Sequence, residues 1–377
     1  MSARTPIPVG SDKPLFTPGP LTTSMIVKQA MLRDLGSRDI EFISAVKEIR
    51  EMLLTLASVS KEKGYETILM QGSGTFGIEA VMTCTGPVNG KWLIIINGAY
   101  GDRIAKIASV NKIGYEILKY SEETVPNPAD VERKLAEYPA VTNVVMVHCE
   151  TTTGIMNPIE EIGRVVKNHN KIYFIDSMSA FGAVPFDFEA CQIDYLVSSA
   201  NKCIEGVPGF SFVICKRDAL LQTEGWSRTL SFDLFAQWQG LEKDGQFRFT
   251  PPTHTLLAFR QALHELFQEG GVEGRAARYK ANYQVLVAGM RQLGFKEYVP
   301  ADLQGYIITS FRYPHDSKFD FDEFYARLNA MGFVIYPGKV SNADCFRIGN
   351  IGRIFESDVS ALLRAIKATI KGMGVEL

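Results

Sequence analysis

The residue types best placed to do chemistry lie at the ends of two apolar runs. Residues 171–175, KIYFI, stop at Asp176, and residues 195–197, YLV, give way to Ser198, Ser199, Ala200, Asn201 and then Lys202. If the two runs are neighbouring strands, they deliver an acid and an amine to the carboxyl edge of one sheet, where open α/β sheets bind their ligands. An amine held there among small residues loses solvation, its pKa falls, and it becomes a candidate Schiff-base former. Each residue alone has a plainer reading: Asp176 ahead of Ser177 caps a helix or closes an Asx turn, and a lone lysine is a surface residue.

Other stretches supply complementary groups. Gly72-Ser73-Gly74-Thr75-Phe76-Gly77 matches G-x-G-x-x-G between an apolar run and a helical pattern. The dinucleotide reading needs a carboxylate about 20 residues on, at the end of the next strand. That strand ends at Asn97, followed by Gly98 and Ala99. What survives is a cradle for a single phosphate, made of helix N-terminal amides with the Ser73 and Thr75 hydroxyls, or else a tight strand-to-helix turn. Tyr100 in GAYGDR either lays its ring on a flat ligand or packs. Thr151, Thr152 and Thr153 after VHCE put hydroxyls at another strand end or cap a helix. Arg347 in CFRIGN offers a guanidinium fork suited to an acid group, or is a solvated face residue of a strand. Arg38 in GSRD is a second anion contact, or Asp39 beside it pairs with a nearby cation.

These groups need a scaffold. Strands are expected at 67–70, 92–97, 210–215 and in YEILKY, NVVMVH, KIYFI and YLVS. Helices are expected over 24–35, 42–58, 78–83, 128–135, 158–167 and from GAYGDR to about residue 111. Strand and helix alternate, with helical segments between strands, as in βα units around a mainly parallel sheet. Residues 230–252 read as mixed, and a helix follows over 255–269. Beyond Gly270 and Gly271 the texture changes to helices at 273–293, 321–331 and 357–373 with strands in YIITSFR, FVIYP and CFRIGN, a smaller α+β unit. The division is an N-terminal arm over 1–22, a large domain over 23–272 and a small C-terminal domain over 273–377.

The 377 residues are 46% apolar and 22% charged, an ordinary globular balance. A formal net charge of −2 gives no electrostatic case for a nucleic-acid or membrane partner, so an anionic ligand must be met by local groups. The start, MSARTPIPVGSDKP, lacks the apolar core of a secretory signal, and no run has the length of a membrane span. Six cysteines without a C-x-x-C pair point to reduced thiols and the cytoplasm, and five unclustered histidines to no metal site.

Asp176 and Lys202 together suit pyridoxal 5'-phosphate. A carboxylate beside the pyridine nitrogen keeps it protonated, so that the ring draws electrons, while the lysine binds the aldehyde and later moves a proton. GSGT, NGAYGDR, CETTTGIMNP, FIDSMSAFG, SSANKCIEGVPG and FRIGNIG, in this order, resemble the motifs of the class V aminotransferases. The resemblance runs over the chain from about Leu15, and LFTPGPL with GSRDIEF narrows it to the branch taking 2-aminoethylphosphonate and pyruvate. It implies the α/β PLP-dependent transferase fold type I, ping-pong transamination, and a homodimer with its active site at the subunit interface. It makes Lys202 the cofactor-binding lysine, Asp176 the partner of the pyridine nitrogen and Tyr100 the stacking ring. Ser73, Gly74, Thr75 and Asn201 become phosphate contacts, and Thr151 a neighbour of the ring hydroxyl. Thr250 would reach the phosphate from the second subunit, whereas Phe247 stands where relatives carry a tyrosine. Arg347 matches the arginine that binds the substrate's acid group, with Arg38 as a second contact. The alternatives are alanine:glyoxylate or serine:pyruvate transamination, a cysteine desulfurase-like lyase, with Cys203 the thiol to test, and a nicotinamide dehydrogenase.

Overall fold

The computed structural model describes residues 12–336 and 343–377. Its centre is a seven-stranded sheet built from β1 (Tyr65–Gln71), β2 (Lys91–Ile96), β3 (Gly114–Lys119), β4 (Val141–Val147), β5 (Ile172–Asp176), β6 (Tyr195–Ser199) and β7 (Phe210–Lys216). The order across the sheet is β1-β7-β6-β5-β4-β2-β3. Every neighbouring pair is parallel except those of β7, which runs antiparallel to β1 and to β6. Continuous apolar runs such as WLIII in β2 are buried throughout, as strands covered on both faces must be, whereas β3 at the edge alternates exposed and part-buried residues. Because β1, β2, β4, β5 and β6 all point the same way, the loops that follow them meet at one edge.

Helices Gly74–Cys84, Ala99–Val110, Pro128–Glu137 and Ile159–Asn168 make the crossovers. Two expectations change. Among the described residues no helix joins β5 to β6; residues 177–194 pass as turns and bury Phe181, Phe188 and Ile193. Within the stretch read as mixed lies a helix, Leu234–Asp244, capped by the Asp233 side chain accepting from Ala236 N–H and closed by Gly245 at φ +74°.

The buried apolar residues form two main cores. One runs from Val27 to Leu266 around the large sheet; the other gathers Leu286, Phe311, Phe324, Phe346, Ile366 and Phe16. Phe16 comes from the N-terminal arm, where Leu15–Phe16 pairs in parallel with Val334–Ile335. The arm is therefore built into the second core rather than standing apart. Strands Ile308–Arg312 and Cys345–Gly349 pair antiparallel there, beside helices Phe321–Ala330 and Glu356–Met373. Helix Gly271–Gln292 bridges the two regions, with Leu286 and Met290 in the second core. No helix among the described residues is long and apolar enough to cross a membrane.

Candidate active site

Asp176 closes β5, in register with Val147 of β4 and Val197 of β6. Its Oδ1 accepts from Met178 N–H at 3.0 Å, while Oδ2 is buried without a hydrogen-bond partner among the described residues. Burial pushes the carboxyl up to about 6, against the pull of Met178 N–H and of the Lys202 and Arg103 charges. A buried oxygen left unpaired costs about 1–3 kcal/mol or more, so its retention marks a place for a donor that arrives with a ligand.

Lys202 follows β6 and is half-buried. Its Nζ donates to the carbonyl of Pro18 at 2.6 Å. Burial lowers its pKa from 10.5 to about 8, and the Asp176 charge opposes that fall without reversing it. With a pKa of about 8, roughly a tenth of this amine is neutral and nucleophilic at pH 7, far more than for an ordinary lysine.

The glycine loop after β1 runs into helix Gly74–Cys84, whose N-cap residue Ser73 makes no side-chain cap bond. The first amides of that helix and the Ser73 hydroxyl are left to an outside acceptor, which is what an anion site requires. Asn97 does not serve a ribose: its amide exchanges hydrogen bonds with Asn157 at 2.7 and 3.1 Å. Arg103, which the sequence reading passed over, leans its guanidinium over the Tyr100 ring at 4.8 Å and reaches Thr75 Oγ1 at 3.5 Å. Its place in GAYGDR, one turn after the ring, is the signal that was present.

The loop after β4 holds Thr151, buried, with its hydroxyl 2.9 Å from Ser179 Oγ. The Thr151 carbonyl accepts from Arg347 Nη1 at 2.9 Å. Arg347 sits in strand Cys345–Gly349, 8% exposed, with the Tyr336 ring against its guanidinium at 4.6 Å and its buried Nε without a partner among the described residues. Thus the second core's arginine meets the large sheet's carboxyl edge with a donor to spare. Asn201 accepts from Ser199 Oγ at 3.2 Å beside Lys202.

Two candidates are not drawn into this group by any contact among the described residues. Arg38 is exposed, and Asp39 caps helix Ile40–Leu56 by accepting from Glu41 N–H rather than pairing with a cation. Thr250 is also exposed, its carbonyl accepting from Gln71 Nε2 at 3.2 Å. Cys203 is fully buried and its thiol is pushed up to about 12, which removes the nucleophile a desulfurase-like lyase needs.

The residues fit pyridoxal phosphate: an orphaned buried carboxyl oxygen, a lysine whose pKa burial lowers, a ring, and an uncapped helix N-terminus share one edge. The family model described as Aminotransferase class-V matches residues 25–331. A 2-aminoethylphosphonate–pyruvate transaminase of Syntrophobacter fumaroxidans is 50% identical over 361 residues, covering 96% of this chain and 97% of its own length. One from Vibrio vulnificus is 51% identical over 355 residues, covering 94% and 96%. Among solved structures, ureidoglycine–glyoxylate aminotransferase of Bacillus subtilis superposes with a TM-score of 0.89 at 22% identity, covering 100% of this chain and 96% of that one. Pyridoxamine–pyruvate aminotransferase of Mesorhizobium loti gives 0.88 at 22% identity, with coverage of 98% and 95%. These superpositions show the PLP-dependent type I fold.

Proposed function

The chain belongs to the class V aminotransferases, and from that membership we propose that it transfers the amino group of 2-aminoethylphosphonate to pyruvate, with pyridoxal 5'-phosphate as cofactor, leaving phosphonoacetaldehyde and L-alanine. The observation that carries the chemistry is Asp176 Oδ2, buried without a partner among the described residues at the sheet edge that also presents a lysine of lowered pKa. The choice of donor is supported by relatives of that activity sharing half of their residues with this chain over nearly its whole length.

When bound, the cofactor supplies an aldehyde that takes up amines and a ring that draws electrons from the neighbouring carbon. Asp176 Oδ2 would hold a proton on the ring nitrogen. Tyr100 would cover one face of the ring. Ser73, Gly74, Thr75 and Asn201 would bind the phosphate, and Thr151 would face the ring hydroxyl. Lys202 Nζ takes the proton from the substrate carbon that bears nitrogen and returns a proton when the second substrate is aminated. Arg347 would bind the acid group of either substrate, its buried Nε having no partner among the described residues.

The chain would act as a homodimer. Met25, Ile26, Leu32 and Ile40 are 58–81% exposed within one short segment that also contains Arg38, and a second copy would cover them. Thr250 and Arg38, exposed in a single chain, would then serve the site across that interface. We divide the chain into an arm over 1–22, a large cofactor-binding domain to 272 and a small domain from 273, in keeping with the two cores. Six unpaired, buried cysteines favour a cytoplasmic setting.

Purified protein given pyridoxal phosphate, 2-aminoethylphosphonate and pyruvate should form alanine only when both substrates are present. Alanine formed from serine but not from the aminophosphonate would overturn the donor; amino transfer from no donor would overturn the reaction class.

A further inference from the structure

Glu150 is a buried carboxyl that the chemistry above does not use. It stands in Cys149–Glu150, just beyond β4, with no exposed surface. Its Oε1 accepts from Thr152 Oγ1 at 2.6 Å, from Thr152 N–H at 3.2 Å and from Tyr100 N–H at 3.4 Å; its Oε2 accepts from Gly101 N–H at 3.4 Å. The Thr152 hydroxyl also accepts from Ala99 N–H at 3.0 Å. Ala99, Tyr100 and Gly101 are the first three residues of helix Ala99–Val110, whose N-cap residue, Gly98, has no side chain to offer. The orphan amides of that helix are thus satisfied from another strand end, by a carboxyl group placed at the positive end of the helix dipole. Gly98 is what admits it, since a Cβ there would lie 2.3 Å from Glu150 Cγ.

We propose that Glu150 is the positioning residue for Tyr100: with Thr152 it pins the first turn of helix Ala99–Val110 to the end of β4 and so sets where the stacking ring stands. The same short turn carries Thr151, whose carbonyl holds Arg347, so the ring and the substrate arginine are referenced to one piece of backbone. Glu150→Gln keeps the shape but turns an amide N–H₂ toward either the Gly101 donor or the Tyr100 and Thr152 donors. One amide of the first turn then loses its acceptor, and the ring loses its register.

The inference rests on the cofactor reading above, and the experiment separates the two. The dissociation constant of pyridoxal phosphate is measured by quenching of tryptophan fluorescence in apo wild type, Glu150→Gln, Tyr100→Ala and the double variant. Glu150→Gln should weaken binding about tenfold in the wild-type background and less than about twofold once the ring is gone. Thr152→Val should behave like Glu150→Gln, and Thr152→Ser, which retains the hydroxyl, like wild type. If Glu150→Gln does not fold, the Thr152 pair in the two Tyr100 backgrounds carries the same test. Equal losses with and without the ring would overturn the positioning role. No uptake of pyridoxal phosphate by wild type would overturn the cofactor reading instead.

Discussion

Lys202 donates its amine to the carbonyl of Pro18, a residue of the N-terminal arm, at 2.6 Å. The arm is tied to the second core by Phe16, so the reactive amine is held by a segment that belongs structurally to the opposite end of the chain. Gly19 makes the approach possible: its φ is +125°, and a Cβ there would lie 2.8 Å from Lys202 Nζ. Gly19→Ala should add about 1–3 kcal/mol of backbone strain and displace the amine. Turnover should fall by about tenfold or more while the melting temperature drops only a few degrees. Unchanged turnover in a folded Gly19→Ala protein would show that the arm does not set the lysine.

Asp176 should weaken the apo protein it serves. Burial raises its carboxyl from 3.8 to about 6 in the folded chain. The folded state is then unpenalised below pH 3.8 and loses stability as pH rises through 6, because the buried group must ionise. Asp176→Asn removes that loss, stabilising the apo protein above pH 6 by on the order of 3 kcal/mol, with the gain fading toward pH 4. Activity should be lost in the same variant. Chemical denaturation of both apo proteins at pH 4 and pH 8 checks the sign; a variant less stable than wild type at pH 8 would contradict it.

Lys202 should react as an amine of pKa about 8 rather than 10.5. Its charged form dominates below pH 8 and its free amine above, so amine-directed labelling of Lys202 in the apo protein should rise through a midpoint near pH 8, while surface lysines are still rising above pH 10. Peptide mass analysis reads the site. Borohydride treatment of the loaded protein should attach the cofactor to this residue, and Lys202→Ala should lose turnover by a factor of about 10³ or more.

Arg347 donates from Nη1 to the Thr151 carbonyl, and its Nε has no hydrogen-bond partner among the described residues. Arg347→Lys keeps the charge but not the fork, so KM for both substrates should rise roughly 10- to 100-fold, the equivalent of about 1.5–3 kcal/mol. Steady-state kinetics with each substrate varied in turn distinguishes this from a fall in kcat alone, which would place the arginine elsewhere in the mechanism.

Leu32 and Ile40, each 81% exposed, are well placed to be covered in a dimer. The double variant Leu32→Glu/Ile40→Glu should run as a monomer in sedimentation, and on the proposed dimer, in which Thr250 reaches the phosphate from the second chain, it should also lose cofactor affinity. A variant that stays dimeric would place the interface on another face.

Much of the site was legible because the ends of strands are marked by local residue patterns, and alternating strand and helix patterns favour parallel strands. An apolar run ending on Asp176, another ending near Lys202, a glycine loop before a helix and Tyr100 after WLIIIN each declare a strand's carboxyl end, and parallel strands put those ends on one edge. The helix in the stretch before Pro252 and the turns between β5 and β6 were harder to read, since long-range burial, not local periodicity, decides their form.

What only the tertiary structure decided is which groups meet across long stretches of chain. By itself the sequence singled out Asp176, Lys202, Tyr100, the glycine loop and Arg347 as candidates, because each is announced by residues within a few positions of it. The Pro18 carbonyl on Lys202, Thr151 under Arg347 and Glu150 at the head of the Tyr100 helix depend on how separate elements dock. No local pattern encodes such contacts: they exist because buried donors and acceptors must find partners once the cores have closed, and the partner is whatever the packing brings within reach.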